Sequence, residues 1–486
     1  MSTFHVENFG CRATQADGAS LERQFEDRGL TRANSTDAAL VIINSCTVTA
    51  EADRDARAAI RRVQRQNPNA SIVVTGCYAQ RAPEEIAALP GVSLVVGNSH
   101  KHQLADIALA THITDSHVHD REGYDFSRTA NDTQDPAALA AEGAFVPLST
   151  LTGNQKPETR NSIFVSDIFA HTELLAAPVF DAPNSRTRPN LKVQDGCDNR
   201  CSFCVIPYVR GQSRSLPLDE ILREVNALVA SGYRELVVSG INLGRWGRDL
   251  TDSANGQPPA PNNQRFESLI RSILNHTSLE KLRISSVEPM DWSDELIQLV
   301  ASSPRIAKHA HVPMQSGSDA VLRRMHRKYR PWHYREKIEK IRVAMATAAI
   351  GADVMVGFPG ETDDEFESTR RMIEDLPFTY LHVFTYSARP GTPAAEMTNQ
   401  VPVHIARERN RILRDLAEEK KQAFMRSFIG HTLDSITLSS ECADGTEALT
   451  DNYLKLILKG SHASNQWLPV RVEKIHNGAL VGTLRV

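Results

Sequence analysis

The sequence predicts an α/β chain of three folded parts. These are a small parallel α/β domain at the amino terminus (1–105), a partial (β/α)6 barrel with a connecting helix (189–428), and a small all-β domain at the end (429–486). A linker or insertion fills 106–188. Three observations carry the prediction. Short apolar runs alternate with helix-patterned stretches on both sides of the linker, as in parallel sheets with crossover helices. The final stretch has strand-like pieces and no helical period. At 486 residues, the chain exceeds one ordinary core.

In the first part the strand runs are Phe4–Val6, Ala39–Ile43 and Ser71–Val74, each followed by helix-like stretches at Ser20–Asp27, Ala50–Gln66 and Ala82–Leu89. A cysteine stands just past each strand: Cys11, Cys46 and Cys77. Ligands sit beyond the carboxyl ends of parallel strands, so three thiols far apart in sequence can converge there. Taken singly, each could be an ordinary buried cysteine; the repeated position argues for a shared role.

Residues 106–188 carry polar clusters such as Thr114–Arg121 and Asn154–Asn161, and the histidines His112, His117 and His119 read as solvated loop residues. From 189 the barrel strands are expected at Leu191–Gln194, Glu235–Gly240, Leu282–Val287, Lys308–Met314, Ala349–Phe358 and Tyr380–Tyr386, with a surface loop inserted over 248–264. The run Arg323, Arg324, Arg327, Lys328, Arg330 follows the fourth strand and reads as a solvated helix face in preference to a phosphate track.

Val403–Phe428 is a charged helical run, and the last part has strands at Leu433–Leu438, Tyr453–Leu458, Leu468–Val472 and Leu480–Val486. Over 451–486, five basic residues face two acidic ones, a bias that suits an oligonucleotide-binding barrel as well as many solvated β-domains. The net charge of −4 gives no global nucleic-acid signature. The amino terminus lacks a signal-peptide pattern and no apolar run has membrane-span length, so a soluble cytoplasmic protein without a membrane partner is expected.

The strongest chemical signal is Cys197-Asp-Asn-Arg-Cys201-Ser-Phe-Cys204, directly after the first barrel strand. Seven cysteines are an odd number for a disulfide framework, and thiolates are the usual iron-sulfur ligands. Three thiolates leave one iron of a 4Fe-4S cluster open, as an open coordination position marks a catalytic metal. A zinc site completed by a distant histidine is the structural alternative. The dispersed thiols Cys11, Cys46 and Cys77 suit a second 4Fe-4S cluster.

The C-x3-C-x2-C spacing with Phe203 before the last cysteine is similar to that of the radical S-adenosylmethionine (radical SAM) enzymes. Beyond it, Gly10-Cys11, Asn44-Ser-Cys-Thr-Val-Thr49, Gly76-Cys-Tyr-Ala-Gln80, Lys192-Val-Gln-Asp-Gly-Cys197, Pro207-Tyr-Val-Arg-Gly211, Pro313-Met-Gln-Ser-Gly-Ser-Asp319 and Gly357-Phe-Pro-Gly-Glu-Thr362 stand in one order. The chain thereby resembles the radical SAM methylthiotransferases over nearly its whole length outside 106–188. Cys46-Thr-Val-Thr followed by Ala-Glu-Ala-Asp resembles the branch acting on N6-threonylcarbamoyladenosine at tRNA position 37 (MtaB type). One departure is Leu216 after Arg214-Ser215, where the family tends to carry Arg.

The resemblance implies an amino-terminal methylthiotransferase domain, a radical SAM barrel and a carboxyl-terminal TRAM domain that contacts RNA. It implies two 4Fe-4S clusters, on Cys197, Cys201, Cys204 and on Cys11, Cys46, Cys77, with S-adenosylmethionine bound to the open iron of the first. Further S-adenosylmethionine contacts are implied for the Phe203 backbone, Gly240, Asn242, Ser285, Ser286, Gln315, Ser316, Val356 and Phe358. The implied partners are the tRNA anticodon stem-loop, a flavodoxin- or ferredoxin-like electron donor and a sulfur donor. Alternatives are a methylthiotransferase for isopentenyladenosine or a ribosomal protein, a radical SAM enzyme whose second cluster transfers only electrons, and a non-enzymatic iron-sulfur RNA binder.

Overall fold

The computed structural model describes residues 3–119, 162–170, 187–250, 265–442 and 445–485. The chain divides into two compact units. The smaller contains 1–8, 21–45 and 54–167; the larger contains 9–20, 46–53 and 168–486.

The smaller unit is built on one parallel sheet in the order β2-β1-β3-β4-β5-β6. Its strands are β1 (Thr3–Asn8), β2 (Thr31–Arg32), β3 (Leu40–Ser45), β4 (Ser71–Gly76), β5 (Val92–Gly97) and β6 (Ser162–Phe164). The central β3 is buried at every residue, which a parallel strand covered on both faces requires. Asn8 lies opposite Asn44, and Ser45 opposite Gly76, so three neighbouring strands end side by side. The helix Ala50–Gln66 buries Ala56, Ala59, Ile60 and Val63, one face at helical spacing.

Two boundaries differ from expectation. A helix runs unbroken over Leu104–His119 across the boundary expected at 105, and β6 pairs with β5 although it lies inside the expected linker. A three-residue strand leaves almost no pattern in sequence. Within the expected linker, 120–161, including the polar cluster 154–161, and 171–186 lie outside the described residues, as do the expected loop from 251 to 264 and the side chains of His112, His117 and His119.

In the larger unit six parallel strands form the partial barrel: β7 (Asn190–Asp195), then, after the short antiparallel edge strand β8 (Arg214–Ser215), β9 (Glu235–Gly240), β10 (Lys281–Ile284), β11 (His309–His311), β12 (Ala349–Val356) and β13 (Tyr380–Thr385). They run in the order β8-β7-β9-β10 and β11-β12-β13, and parallel bridges Leu282–Ile306 and Ser286–His311 join the two sets. All six stand where the sequence predicts them. Leu191, Val193, Leu236, Val238, Leu282, Ile284 and Ala310 pack under the helices, while their strand neighbours Lys192, Gln194, Arg283, His309 and His311 point to the opposite, inner face. The inner face is therefore polar, as a chamber for a polar ligand must be.

The helix Val403–Arg426 leads to a closed five-stranded barrel, β14 (Thr432–Cys442), β15 (Gly445–Thr450), β16 (Lys455–Leu458), β17 (Trp467–His476) and β18 (Ala479–Leu484), in the order β14-β15-β16-β18-β17. Met425 and Phe428 at the end of the helix share its core with Leu456, Leu458, Val470 and Leu480. The inner-face residues Lys281 and Arg283 reach Asp451 and the Thr450 carbonyl, fixing this barrel to the larger one.

Candidate functional site

Each expected site residue of the larger barrel stands at or just beyond a strand's carboxyl end, where the fold puts chemistry. The triad occupies the loop between β7 and the helix Ile206–Arg210. Gly240 ends β9, and Asn242 follows it. Ser285 and Ser286 follow β10, Gln315 and Ser316 follow β11, and Val356 ends β12 with Phe358 two residues on.

Gln194 organises this end. Its amide nitrogen donates to the carbonyls of Asp195 and Gly196 and to the Ser213 hydroxyl, each at 2.9 Å, while its Oε1 accepts from the Asn242 backbone N–H at 2.7 Å. A Cβ on Gly240 would come within 2.9 Å of that same oxygen, so only glycine fits there. Asn242 in turn donates to Cys197 Sγ at 3.6 Å, and its buried Oδ1 has no hydrogen-bond partner among the described residues. An unsatisfied buried acceptor beside a thiol fits a bound polar ligand, whose donor would satisfy it.

The Phe203 ring meets Phe358 edge-on at 6.4 Å, and Phe358 meets Tyr386 at 5.6 Å, giving the rim an apolar wall. The Ser286 hydroxyl pairs with His311 Nδ1 at 2.6 Å. Gln315 has a left-handed backbone, φ 61°, and its N–H and carbonyl pair with Asp353 and Met355. The Ser316 hydroxyl is occupied within the fold, by Thr369 Oγ1 at 3.1 Å and the Ser318 N–H.

The basic run departs from expectation. Arg327 is buried and donates to Cys201 Sγ at 3.3 Å and to Glu288, and Arg324 grips Glu365 with two bonds. Arg323 and Arg330 both pair with Asp319. Arg323 and Lys328 are exposed, as on a solvated face, but Arg324 and Arg327 are turned to carboxylates on distant loops. No sequence period could reveal the Arg327–Glu288 and Arg324–Glu365 pairs, 39 and 41 residues apart. A signal for the Gln194 network was present: three polar residues, Lys192, Gln194 and Asp195, in one buried strand.

Burial pushes the Cys197 thiol up to about 11 and the Cys204 thiol up to about 12. Such thiols need positive charge to ionise, which a metal supplies and, for Cys204, the Arg327 guanidinium assists. Among the described residues no three Cys, His, Asp or Glu side chains are gathered as tightly as a single metal ion demands. Cys201 raises the pKa of both Cys197 and Cys204, so the three thiols lie near one another, an all-sulfur donor set that fits an iron-sulfur cluster.

The dispersed cysteines follow three adjacent strand ends. Cys11 follows β1 and immediately precedes the helix Arg12–Glu26; Cys46 follows β3 and is buried; Cys77 follows β4 and opens the helix Cys77–Arg81, accepting from Asn98 at 3.5 Å. Gly10, at φ +105°, lies so close to Cys46 that a Cβ would stand 2.5 Å from Cys46 Cβ and 2.8 Å from its Sγ. Cys11 and Cys46 are therefore neighbours.

Residues 3–97 match a family described as "Uncharacterized protein family UPF0004", and 191–373 match the radical SAM superfamily. The threonylcarbamoyladenosine tRNA methylthiotransferase MtaB of Bacillus subtilis is 33% identical over 95% of this chain and 91% of its own length. The protein of the same name from Aquifex aeolicus is 33% identical over 93% and 96%. A tRNA-2-methylthio-N(6)-dimethylallyladenosine synthase of Streptomyces viridosporus is 31% identical over 90% and 77%. Among solved structures, the radical S-adenosylmethionine methyltransferase TsrM of Kitasatospora setae aligns with a TM-score of 0.50 at 15% identity, over 81% of this chain and 77% of that one, a likeness of fold.

Proposed function

Because the chain belongs to the radical SAM methylthiotransferase family, we propose that it methylthiolates C2 of N6-threonylcarbamoyladenosine at tRNA position 37. The observation that carries this reading is the similarity to the two threonylcarbamoyladenosine enzymes, at 33% identity over 91% and 96% of their length, against 31% over 77% for the dimethylallyladenosine synthase. Cys197, Cys201 and Cys204 hold one 4Fe-4S cluster, and Cys11, Cys46 and Cys77 a second. When bound, the first cluster supplies an electron that cleaves S-adenosylmethionine to methionine and a deoxyadenosyl radical. At C2 a C–H bond gives way to a C–S bond: the hydrogen leaves with the deoxyadenosyl group, and the methyl of the incoming methylthio group comes from a second S-adenosylmethionine. A sulfur donor and a flavodoxin- or ferredoxin-class electron donor replenish the system.

The protein's own part is to hold and orient. Asn242, Ser285 and Ser286 offer polar atoms at the strand ends, with Gly240 leaving room beside Gln194. Gln315 and Ser316 after β11, with Val356 and Phe358 after β12, complete the cradle for S-adenosylmethionine, and the Phe203–Phe358 wall keeps water off the reacting centre. The exposed Lys455, Arg471 and Lys474 of the closing β-barrel meet RNA phosphates, and a tRNA substrate places the activity in the cytoplasm; no described helix is long and apolar enough to cross a membrane.

Nucleoside mass spectrometry of tRNA from a deletion strain tests the reading. The 2-methylthio form of threonylcarbamoyladenosine should vanish while the parent nucleoside stays. Loss of the methylthio-isopentenyl form instead would assign the chain to the sister branch.

A further inference from the structure

Two short pieces of the amino-terminal third, Phe9–Ser20 and Cys46–Asp53, pack as part of the larger unit. Each begins at or near a cysteine of the dispersed set, and each ends in a buried ion-pair system.

In the first, Asp17 accepts from Lys192 through Oδ1 and from Arg210 Nη2 through Oδ2 at 2.9 Å. Lys192 also reaches Asp195 at 2.8 Å, and Arg210 grips both Asp195 oxygens at 3.0 and 2.9 Å. All four side chains are buried, and two carboxylates balance two cations. Asp195 is two residues from Cys197, and Asp17 is six from Cys11. The Arg12 carbonyl, next to Cys11, accepts from Asn190 at the start of β7.

In the second, Asp53 accepts from Thr47 Oγ1 at 2.6 Å and from Arg389 Nη1 at 2.7 Å. Arg389 also reaches the Thr47 carbonyl at 3.4 Å, and the Ala50 N–H donates to Ser387 Oγ at 3.1 Å. Asp53 and Arg389 are both buried. Thr47 directly follows Cys46, so the whole Cys-Thr-Val-Thr turn is tied to the loop after β13.

Buried ion pairs are a poor way to add stability, since apolar residues of the same volume serve as well or better; what they impose is direction and register. Two of them, on the two segments that carry Cys11 and Cys46, point to placement as their role. We propose that these locks are positioning devices for sulfur delivery: Asp17 with Lys192 and Arg210 seats the Cys11 segment, and Asp53 with Arg389 seats the Cys46 segment, on the barrel that carries Cys197. The inference rests on the methylthiotransferase reading. A loosened segment leaves radical formation intact but lets the substrate radical be quenched before sulfur reaches it.

The experiment compares wild-type holoenzyme with Arg389→Gln, Asp53→Asn, Asp17→Asn and the conservative Arg389→Lys, counting 5′-deoxyadenosine released per methylthiolated nucleoside. Arg389→Gln should raise that ratio about tenfold, the loss of one charge-assisted hydrogen bond, and Arg389→Lys should bring it most of the way back. A second arm needs no cluster: in metal-free protein, Cys46, 4% exposed, should be alkylated by iodoacetamide about tenfold faster in Arg389→Gln, the same bond's loss. Cys204 should react at its wild-type rate. Deoxyadenosine and methylthiolated product falling together, with Cys46 alkylation unchanged, would overturn the proposal. A wild-type enzyme that makes deoxyadenosine but no methylthio nucleoside would overturn the functional reading beneath it, and the alkylation arm would then still decide whether Arg389 holds Cys46.

Discussion

Arg327 donates from Nη1 to the Sγ of Cys201 at 3.3 Å while Nη2 pairs with Glu288, so one buried guanidinium ties the middle thiol of the triad to the loop after β10. Burial pushes the Glu288 carboxyl up, with Arg327 opposing it, so the pair stands or falls together.

Arg327→Gln should slow reductive cleavage of S-adenosylmethionine by about tenfold or more, since a hydrogen bond to a charged group contributes about 1.5–3 kcal/mol. Arg327→Lys should recover only part, because an ammonium cannot reach Cys201 and Glu288 in one plane. Anaerobic assays of 5′-deoxyadenosine check this, and an unchanged rate in Arg327→Gln would detach the residue from the cluster chemistry.

His309 gives the fold a pH dependence. It is buried on the inner face, its Nε2 paired with the Tyr380 hydroxyl at 2.6 Å. Burial, then Arg283, His311 and Arg12, hold its pKa well below 6.5. Below pH 6.5 the unfolded chain therefore takes up a proton that the folded chain refuses. Its contribution is complete above about pH 6.5 and falls as pH drops, by up to about 1.4 kcal/mol per pH unit. In anaerobic urea denaturation, His309→Gln should lose less stability than wild type between pH 7.5 and 5.5; parallel losses would refute the assignment.

The barrel strands were legible because each pairs an apolar face under helices with a bounded length, and the triad because its spacing is local. What escaped the sequence was tertiary. Arg327 looked like one cation in a charged run, but its partners lie 39 and 126 residues away. Strand β15, Gly445-Thr-Glu-Ala-Leu-Thr450, is not among the expected strands: it begins with glycine and its polar Thr446 and Glu447 are adjacent, so no period-2 pattern marks it, and only the closed barrel reveals it. Nothing in the sequence singles out Asp17 or Asp53, and only packing reveals them as buried.

Gly10 should tolerate no side chain. An added Cβ meets Cys46 at 2.5 Å, and the φ of +105° strains any other residue by about 1–3 kcal/mol. Gly10→Ala should displace Cys46 and lower bound iron toward half, each three-thiolate site holding one cluster, while S-adenosylmethionine cleavage persists. Full iron content in this variant would mean that Cys11 and Cys46 do not share a ligand.

The closing β-barrel offers Lys455, Arg471 and Lys474 as exposed cations, whereas Lys459 is paired with Glu473 at 2.6 Å. Changing the first three to Gln should weaken tRNA binding and flatten the log–log salt dependence by about 2, at roughly 0.7 for each phosphate left unneutralised. Substrate-free cleavage of S-adenosylmethionine should not change. A salt titration with the same slope as wild type would move RNA recognition elsewhere on the chain.

The two cysteine sets can be separated by one substitution in each. Cys77 is buried at the start of its own short helix, after Gly76, whose φ of +100° and close approach to the Ser45 backbone fix the turn. Cys77→Ala removes a sulfur without altering that turn, so the sheet should stand while the dispersed site loses a ligand. Bound iron should fall to about half and sulfur insertion should cease, with 5′-deoxyadenosine still formed. Cys201→Ala should do the reverse: the dispersed site keeps its iron, radical formation ends, and Arg327 loses its sulfur acceptor. Iron analysis, deoxyadenosine assay and nucleoside mass spectrometry on the same preparations decide the matter. If Cys77→Ala keeps full iron and full methylthiolation, Cys77 is a buried strand-end thiol and the second cluster must be sought on other residues.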